Sequence, residues 1–132
     1  MCPVCRTPMV AYELDGVEID HCLECSGTWL DYGELEQITE LSGVSPGPLS
    51  EAIDRAASGS AARRRCPRCL RKLRTLNVGS EPTIELDRCP GGHGLWFDHG
   101  ELETVVRGHA GDADDEGEVA RYFGRLFRDS LK

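Results

Sequence analysis

No run of apolar residues in this chain of 132 approaches the roughly 20 that a membrane span requires, so none is expected. Nor does the start look like a signal peptide: Met1 leads directly into Cys2 with no charged opening, apolar stretch or cleavage site. Basic residues are nearly missing from residues 1 to 57, which carry two Lys/Arg against eleven Asp/Glu, and the net charge of the chain is -8. That balance argues against general nucleic-acid binding. An even cysteine count is also lacking. Seven cysteines cannot be used up by disulfide pairing, so a thiol-reducing, cytoplasmic location with metal binding is the expectation.

The cysteines come as knuckles, and the knuckles repeat. Cys2-Pro3-Val4-Cys5 returns as Cys66-Pro67-Arg68-Cys69, and Cys22-Leu23-Glu24-Cys25 with Trp29, Asp31, Glu34 and Leu35 returns as Cys89, His93, Trp96, Asp98, Glu101 and Leu102. The offset is 64 at the first pair and 67 from Cys22 and Cys89 onward. A half of roughly 40 residues is too small to fold on its own core, so each needs a staple. Two C-x2-C turns complete a tetrahedron around one ion and leave no vacancy. The first site is therefore expected to use Cys2, Cys5, Cys22 and Cys25, and the second Cys66, Cys69, Cys89 and His93. His93 sits one position late, which the imidazole is expected to accommodate through a wider knuckle eased by Gly91 and Gly92. Two structural Zn2+ ions are the expected cofactors. Iron in an all-cysteine site is the competing metal, against which the histidine of the second site speaks.

Between knuckles, Val10, Tyr12 and Leu14 alternate, as do Val17 and Ile19, around Asp15-Gly16, a favoured two-residue hairpin turn. Leu73, Leu76, Val78, Ile84 and Leu86 keep the same phase in the second half, with the longer loop Gly79 to Thr83 between them. After each second knuckle, Asp31 to Glu34 and Asp98 to Glu101 match a capping box, flanked by Leu30 with Leu35 and Phe97 with Leu102 as staples. Leu35, Ile38 and Leu41, then Leu102, Val105 and Val106, recur at helical spacing, and Ser42-Gly43 and Gly108 end the helices. Ser45-Pro46-Gly47-Pro48 reads as a break, Leu49 to Ala57 as a short helix, and Gly59 to Arg65 as linker. An acidic tether from Gly111 to Gly117 leads to Val119, Tyr122, Phe123, Leu126, Phe127 and Leu131, an apolar stripe at helical intervals. The expected units are 1–43, 44–65, 66–109 and 110–132.

Trp29 and Trp96 read as core anchors rather than stacking platforms, and His21, His99 and His109 as surface residues or supports for the metal ligands. No zinc-protease or deaminase motif is present, and a four-ligand site leaves no position for water, so no catalysis and no small-molecule substrate are expected. Redox or zinc sensing ranks last, because closed sites hold their thiolates inert.

The pattern of Cys-Pro-x-Cys, hairpin, Cys-x-x-Cys, then Gly27-Thr28-Trp29-Leu30-Asp31 and Gly33-Glu34-Leu35 resembles the bacterial TFIIB-type zinc-finger (zinc-ribbon) family. The second copy, from Cys89-Pro90-Gly91-Gly92-His93 through Trp96, Asp98 and Gly100-Glu101-Leu102, is similar to its histidine-bearing variant. The resemblance covers roughly residues 2 to 41 and 66 to 107. It implies zinc binding in a small ribbon; together with a linker helix and a C-terminal amphipathic helix, which lie outside the motif, the expected fold is small, metal-stapled α+β, with tandem zinc ribbons of knuckle, β-hairpin, knuckle and short helix. Two roles are expected of it. The first is a non-enzymatic, transcription-associated adaptor whose Tyr122, Phe123, Leu126 and Phe127 dock a protein partner or a second copy of the chain. The alternative is nucleic-acid binding through the basic strip Arg63, Arg64, Arg65, Arg68, Arg71, Lys72 and Arg74.

Overall fold

The computed structural model describes residues 1–56, 59–78, 84–108 and 121–123, the side chains of Leu14 and Ala62 apart. The chain runs β1 (Val10–Leu14), β2 (Val17–His21), β3 (Thr28–Asp31), α1 (Glu34–Leu41), α2 (Pro46–Arg55), β4 (Ala61–Arg65), β5 (Lys72–Val78), β6 (Ile84–Arg88), β7 (Gly94–Phe97) and α3 (Glu101–Gly108). The seven strands of the described residues form one sheet in the order β1-β2-β3-β7-β6-β5-β4, and every neighbouring pair is antiparallel. The two ribbons are thus halves of a single sheet.

Local chemistry accounts for the hairpins. Leu14 pairs with Val17 across a turn in which Asp15 and Gly16 both have positive φ, 54° and 84°. Positive φ at both central residues is the type I′ geometry whose twist matches that of paired strands. In the second half β5 and β6 pair from Arg74 with Arg88 to Val78 with Ile84, and the loop between them lies outside the described residues.

The seam between halves is a strand pair that neither half announces. β3 and β7 meet in the register Thr28 with Phe97, Trp29 with Trp96, Leu30 with Leu95 and Asp31 with Gly94. Since residue 29 in one half corresponds to residue 96 in the other, this register is that of a two-fold axis between the tryptophans. Four-residue strands are too short to show alternation, and their partners are remote in sequence; hence no strand was expected here.

Alternation sorts the side chains onto two faces. On one face Val17, Ile19, Leu30, Leu76, Val78, Leu86 and Phe97 meet Leu35 and Ile38 of α1, Leu49 and Ile53 of α2, and Leu102, Val105 and Val106 of α3. On the other, Trp29, Trp96 and Leu73 join Cys2, Cys22, Cys66 and Cys89 in a second cluster. Helices cover one side of the sheet and knuckles the other.

Three expectations change. Pro46 and Pro48 do not break the chain; they lie in the first turn of α2 after Ser45, where proline's missing N–H has no helical partner to lose. Gly59 to Arg65 is not all linker, since Ala61–Arg65 is the edge strand β4, paired with β5. Its Ala-Ala-Arg-Arg-Arg sequence carries no apolar alternation, so only the pairing reveals it. Of the amphipathic stripe, finally, residues 121–123 are helical, and Tyr122 and Phe123 lie in the core cluster with α1, α2 and α3. The remainder of that stripe, including Leu126 and Phe127, lies outside the described residues, as does His109.

Candidate metal centres

Three of the four knuckles are closed by the same pair of backbone bonds. Cys2 N–H donates to Thr7 O (2.8 Å) and Arg6 N–H returns to Cys2 O (3.0 Å); Cys66 with Arg71 and Leu70, and Cys22 with Gly27 and Ser26, repeat the pattern. The chain leaves these three turns through a left-handed residue, with φ of 59° at Arg6, 64° at Leu70 and 61° at Ser26. In the fourth, Cys89 N–H donates to Gly94 O (3.1 Å), which spans as many residues as Cys22 to Gly27. The knuckle holding His93 is therefore no wider than its counterpart, contrary to expectation. His93 stands where Ser26 stands, and the length of imidazole makes up the difference. Gly92, with φ of 81°, supplies the left-handed step before it.

These turns bring the eight candidate ligands into two sets of four, Cys2, Cys5, Cys22 and Cys25, and Cys66, Cys69, Cys89 and His93, each with its ligand atoms within 4.8 Å of one another. All seven cysteines are free thiols. Cys2 and Cys25 Sγ lie 3.7 Å apart, and Cys69 and Cys89 Sγ 3.6 Å. A disulfide needs about 2.05 Å. A tetrahedron with metal–sulfur bonds of about 2.3 Å has an edge of about 3.8 Å. Cys89 Sγ and His93 Nδ1 are 3.3 Å apart, which identifies Nδ1 as the fourth donor atom.

Electrostatics point the same way. Burial raises Cys22, but the N–H groups of Cys25 and Glu24 and the neighbouring thiols bring it down to about 7. Burial likewise works against Cys89, which the backbone and ring of His93 and the N–H of Gly91 lower to about 6. Their partners go the other way: burial, with adjacent thiols adding to it, pushes Cys25 up to about 12 and Cys66 up to about 11. N–H groups also reach Cys2 Sγ from Val4 (3.3 Å) and Cys5 (3.2 Å). Each site favours some thiolates and resists a full set, a conflict that a bound cation resolves. The donor set fits a structural metal with no open position.

The residues after each second knuckle lock the two sites to one another. Trp29 Nε1–H donates to Asp31 Oδ1 (2.9 Å), and Trp96 Nε1–H to Asp98 Oδ1 (3.2 Å). The N–H of Asp31 donates to Glu34 Oε1 (2.7 Å), and that of Asp98 to Glu101 Oε1 (3.0 Å). Half of the expected capping box is thus present. Of the two aspartates, Asp31 does not cap: α1 starts at Glu34 with Gly33, φ 91°, at the N-cap and no side-chain cap bond. Their carboxylates are drawn instead to indole and guanidinium donors.

Both tryptophans are fully buried, each against a glycine of the opposite half. A Cβ on Gly27 would overlap the Trp96 ring, and one on Gly94 would overlap both the Leu30 carbonyl and the Trp29 ring. From sequence, these glycines are assigned no packing role. Their shared place two residues before each tryptophan was the available signal.

The basic strip is divided by the fold. Arg68 donates to Asp31 through Nε (2.9 Å) and Nη2 (2.7 Å), and to Asp20 (2.9 Å), so it ties the second ribbon's first knuckle to the first ribbon. Arg64 Nη1 bonds Asp87 (2.9 Å) and Asp98 (2.7 Å). Burial pushes the Asp87 carboxyl up while the same pair raises Arg64; we read the pair as ionised, because a guanidinium does not deprotonate and the contact is close. Arg65 donates to Leu70 O (3.0 Å), and Arg63, Arg71, Lys72 and Arg74 are exposed. Arg64 and Arg68 are structural, which removes two charges from the proposed nucleic-acid strip.

Tyr122 and Phe123 are likewise spent internally, since both are buried in the core and present no docking surface. His21 is not a surface residue either; it is buried, with Nδ1 3.1 Å from Thr28 Oγ1, and burial lowers its pKa. His99 is exposed, as expected.

No helix among the described residues is long and apolar enough to cross a membrane. No curated protein and no solved structure matches the chain. The transcription factor zinc-finger family, of the TFIIB-type zinc ribbon, does match it, over residues 1–41 and again over residues 65–108. The two matches coincide with the two halves of the sheet and with the two ligand sets. More than half of the sequence being covered, the chain belongs to the TFIIB-type zinc-ribbon family as two tandem copies, each holding one structural zinc ion.

Proposed function

We propose that this protein is a non-enzymatic interaction module, transcription-associated and cytoplasmic, whose zinc ions hold a protein-binding face in shape. One observation carries the reading. Of six large apolar side chains exposed among the described residues, four lie on the knuckles: Met1 (64%), Val4 (42%), Leu23 (57%) and Leu70 (67%). Met1 and Leu70 line one cleft between the first knuckles, and exposed apolar groups that adjoin one another mark an interaction surface more often than isolated ones do. With Tyr122 and Phe123 packed inside, the knuckle face takes the role first expected of the tail.

The test is capture from native extract on immobilised, zinc-loaded protein, with and without nuclease. Proteins retained after nuclease and lost with a Val4→Ser, Leu23→Ser, Leu70→Ser triple variant support the reading. Retention that disappears with nuclease favours the alternative, nucleic-acid binding by Arg63, Arg71, Lys72 and Arg74. A preparation that retains no protein overturns it.

A further inference from the structure

Between the first knuckles of the two ribbons lies a cleft of about 250 Å³, with Cys2 and Cys66 among its lining residues. Met1, Pro3, Pro67 and Leu70 give it apolar walls, and Arg6, Arg63 and Arg65 bring three guanidinium groups to it. Among the described residues, no carboxylate lines it. Among the described residues, none of these three arginines makes a salt bridge, whereas Arg64 and Arg68 each contact two carboxylates. The cleft is therefore both greasy and positively charged within an acidic protein.

Leu70 adds a separate argument. Its φ is 64°, in the left-handed region where a side chain is disfavoured, and it is 67% exposed. Glycine would relax the backbone and remove an apolar group from water. Leucine at this position therefore opposes both folding and solubility, and what it offers in return is contact surface in the cleft.

We propose that this cleft binds an acidic peptide segment of a partner protein, one apolar side chain lying between Pro3, Pro67 and Leu70 while flanking carboxylates meet Arg6, Arg63 and Arg65. This rests on the interaction reading above and names the partner's chemistry. Charge selects a peptide over nucleic acid. A short peptide stays within the reach of the three arginines, since screening at physiological salt extends only about 8 Å. A long polyanion would run on past residues 1 to 57, where eleven carboxylates outnumber two basic groups.

Fluorescence anisotropy of a labelled Asp-Glu-Leu-Phe-Glu-Asp peptide with the zinc-loaded full chain tests this, against its Ser-Ser counterpart and a 20-mer duplex DNA. The expected result is that the Leu-Phe peptide binds at least tenfold tighter than either control. Leu70→Gly is expected to weaken it at least tenfold while keeping two zinc ions and an undiminished melting temperature. An Arg6→Ser, Arg63→Ser variant weakens it similarly and flattens its salt dependence. Equal binding of the two peptides, undiminished binding by Leu70→Gly, or tighter binding of DNA overturns the proposal. If the peptide fails while nuclease-resistant capture from extract persists, the cleft assignment falls and the interaction module stands.

Discussion

The two ribbons solve one electrostatic problem from different places. In the first, Asp20 and Asp31 are neutralised by Arg68, which comes from a knuckle of the other ribbon. In the second, the equivalent Asp87 and Asp98 are neutralised by Arg64, from the edge strand β4 of the same ribbon. The tryptophan, aspartate and glutamate of the tail, in contrast, are the same in both and make the same indole and backbone hydrogen bonds, and in both a glycine two residues before the tryptophan packs against the opposite indole. What is shared is what the seam demands. The position of the counter-charge is free, provided that a guanidinium arrives.

Metal removal should have the largest effect and should not respect the boundary between ribbons. Structural zinc contributes on the order of 10 kcal/mol to the folding of small fingers, and both ligand sets share one buried cluster with Trp29 and Trp96. Chelation is expected to unfold both halves together, seen as one transition in circular dichroism. Cys22→Ser should lower amide protection in the second ribbon as well as the first. Two separate transitions would show that the ribbons are independent.

Arg64 and Arg68 should differ in weight. Asp87 is buried, so Arg64→Met strands a carboxylate in the interior and costs about 3 kcal/mol. Arg64→Met with Asp87→Asn should recover most of it, as read by denaturant unfolding of the zinc-loaded protein.

Alanine at the paired glycines comes next, at about 2 kcal/mol for Gly27 and about 3 kcal/mol for Gly94, the cost of overfilling a packed site. Gly94→Ala is the harsher change because its Cβ meets backbone as well as ring. Equal costs in a thermal melt would break the asymmetry.

Arg68→Met, at the exposed pair, should cost only about 0.5–1 kcal/mol, and less in high salt. Hydrogen bonding to Arg68, against some burial, holds the Asp31 carboxyl below its usual range. A carboxylate depressed in this way stabilises above its unfolded pKa of about 3.9 and loses that contribution as pH falls through its folded value. The variant's deficit should accordingly be full at pH 7 and shrink below about pH 4. A deficit that grows on acidification would assign Arg68 a different partner.

Most of the metal chemistry was legible because it is local. Cysteine spacing within a turn, Asp15-Gly16 between alternating strands, and Glu34 or Glu101 three residues after aspartate each act over a few residues of chain. The parts that could not be read depend on distant partners. β3 and β7 are four residues each and become strands by pairing with one another. The β4 run of arginines is defined by its pairing with β5 and by the carboxylates beneath Arg64. The periodicity through Tyr122 and Phe123 announced a buried face, but nothing local said that the chain's own core would cover it.

The self-complementary edge formed by β3 and β7 has a further consequence. Had the two ribbons been separate molecules, their union would depend on how often they met. Joined in one chain, they meet at any dilution, at an effective concentration set by the connection between them. A face built across both halves therefore persists when the protein is rare, and each half is free to carry different side chains on it, as no symmetric pair of identical subunits can.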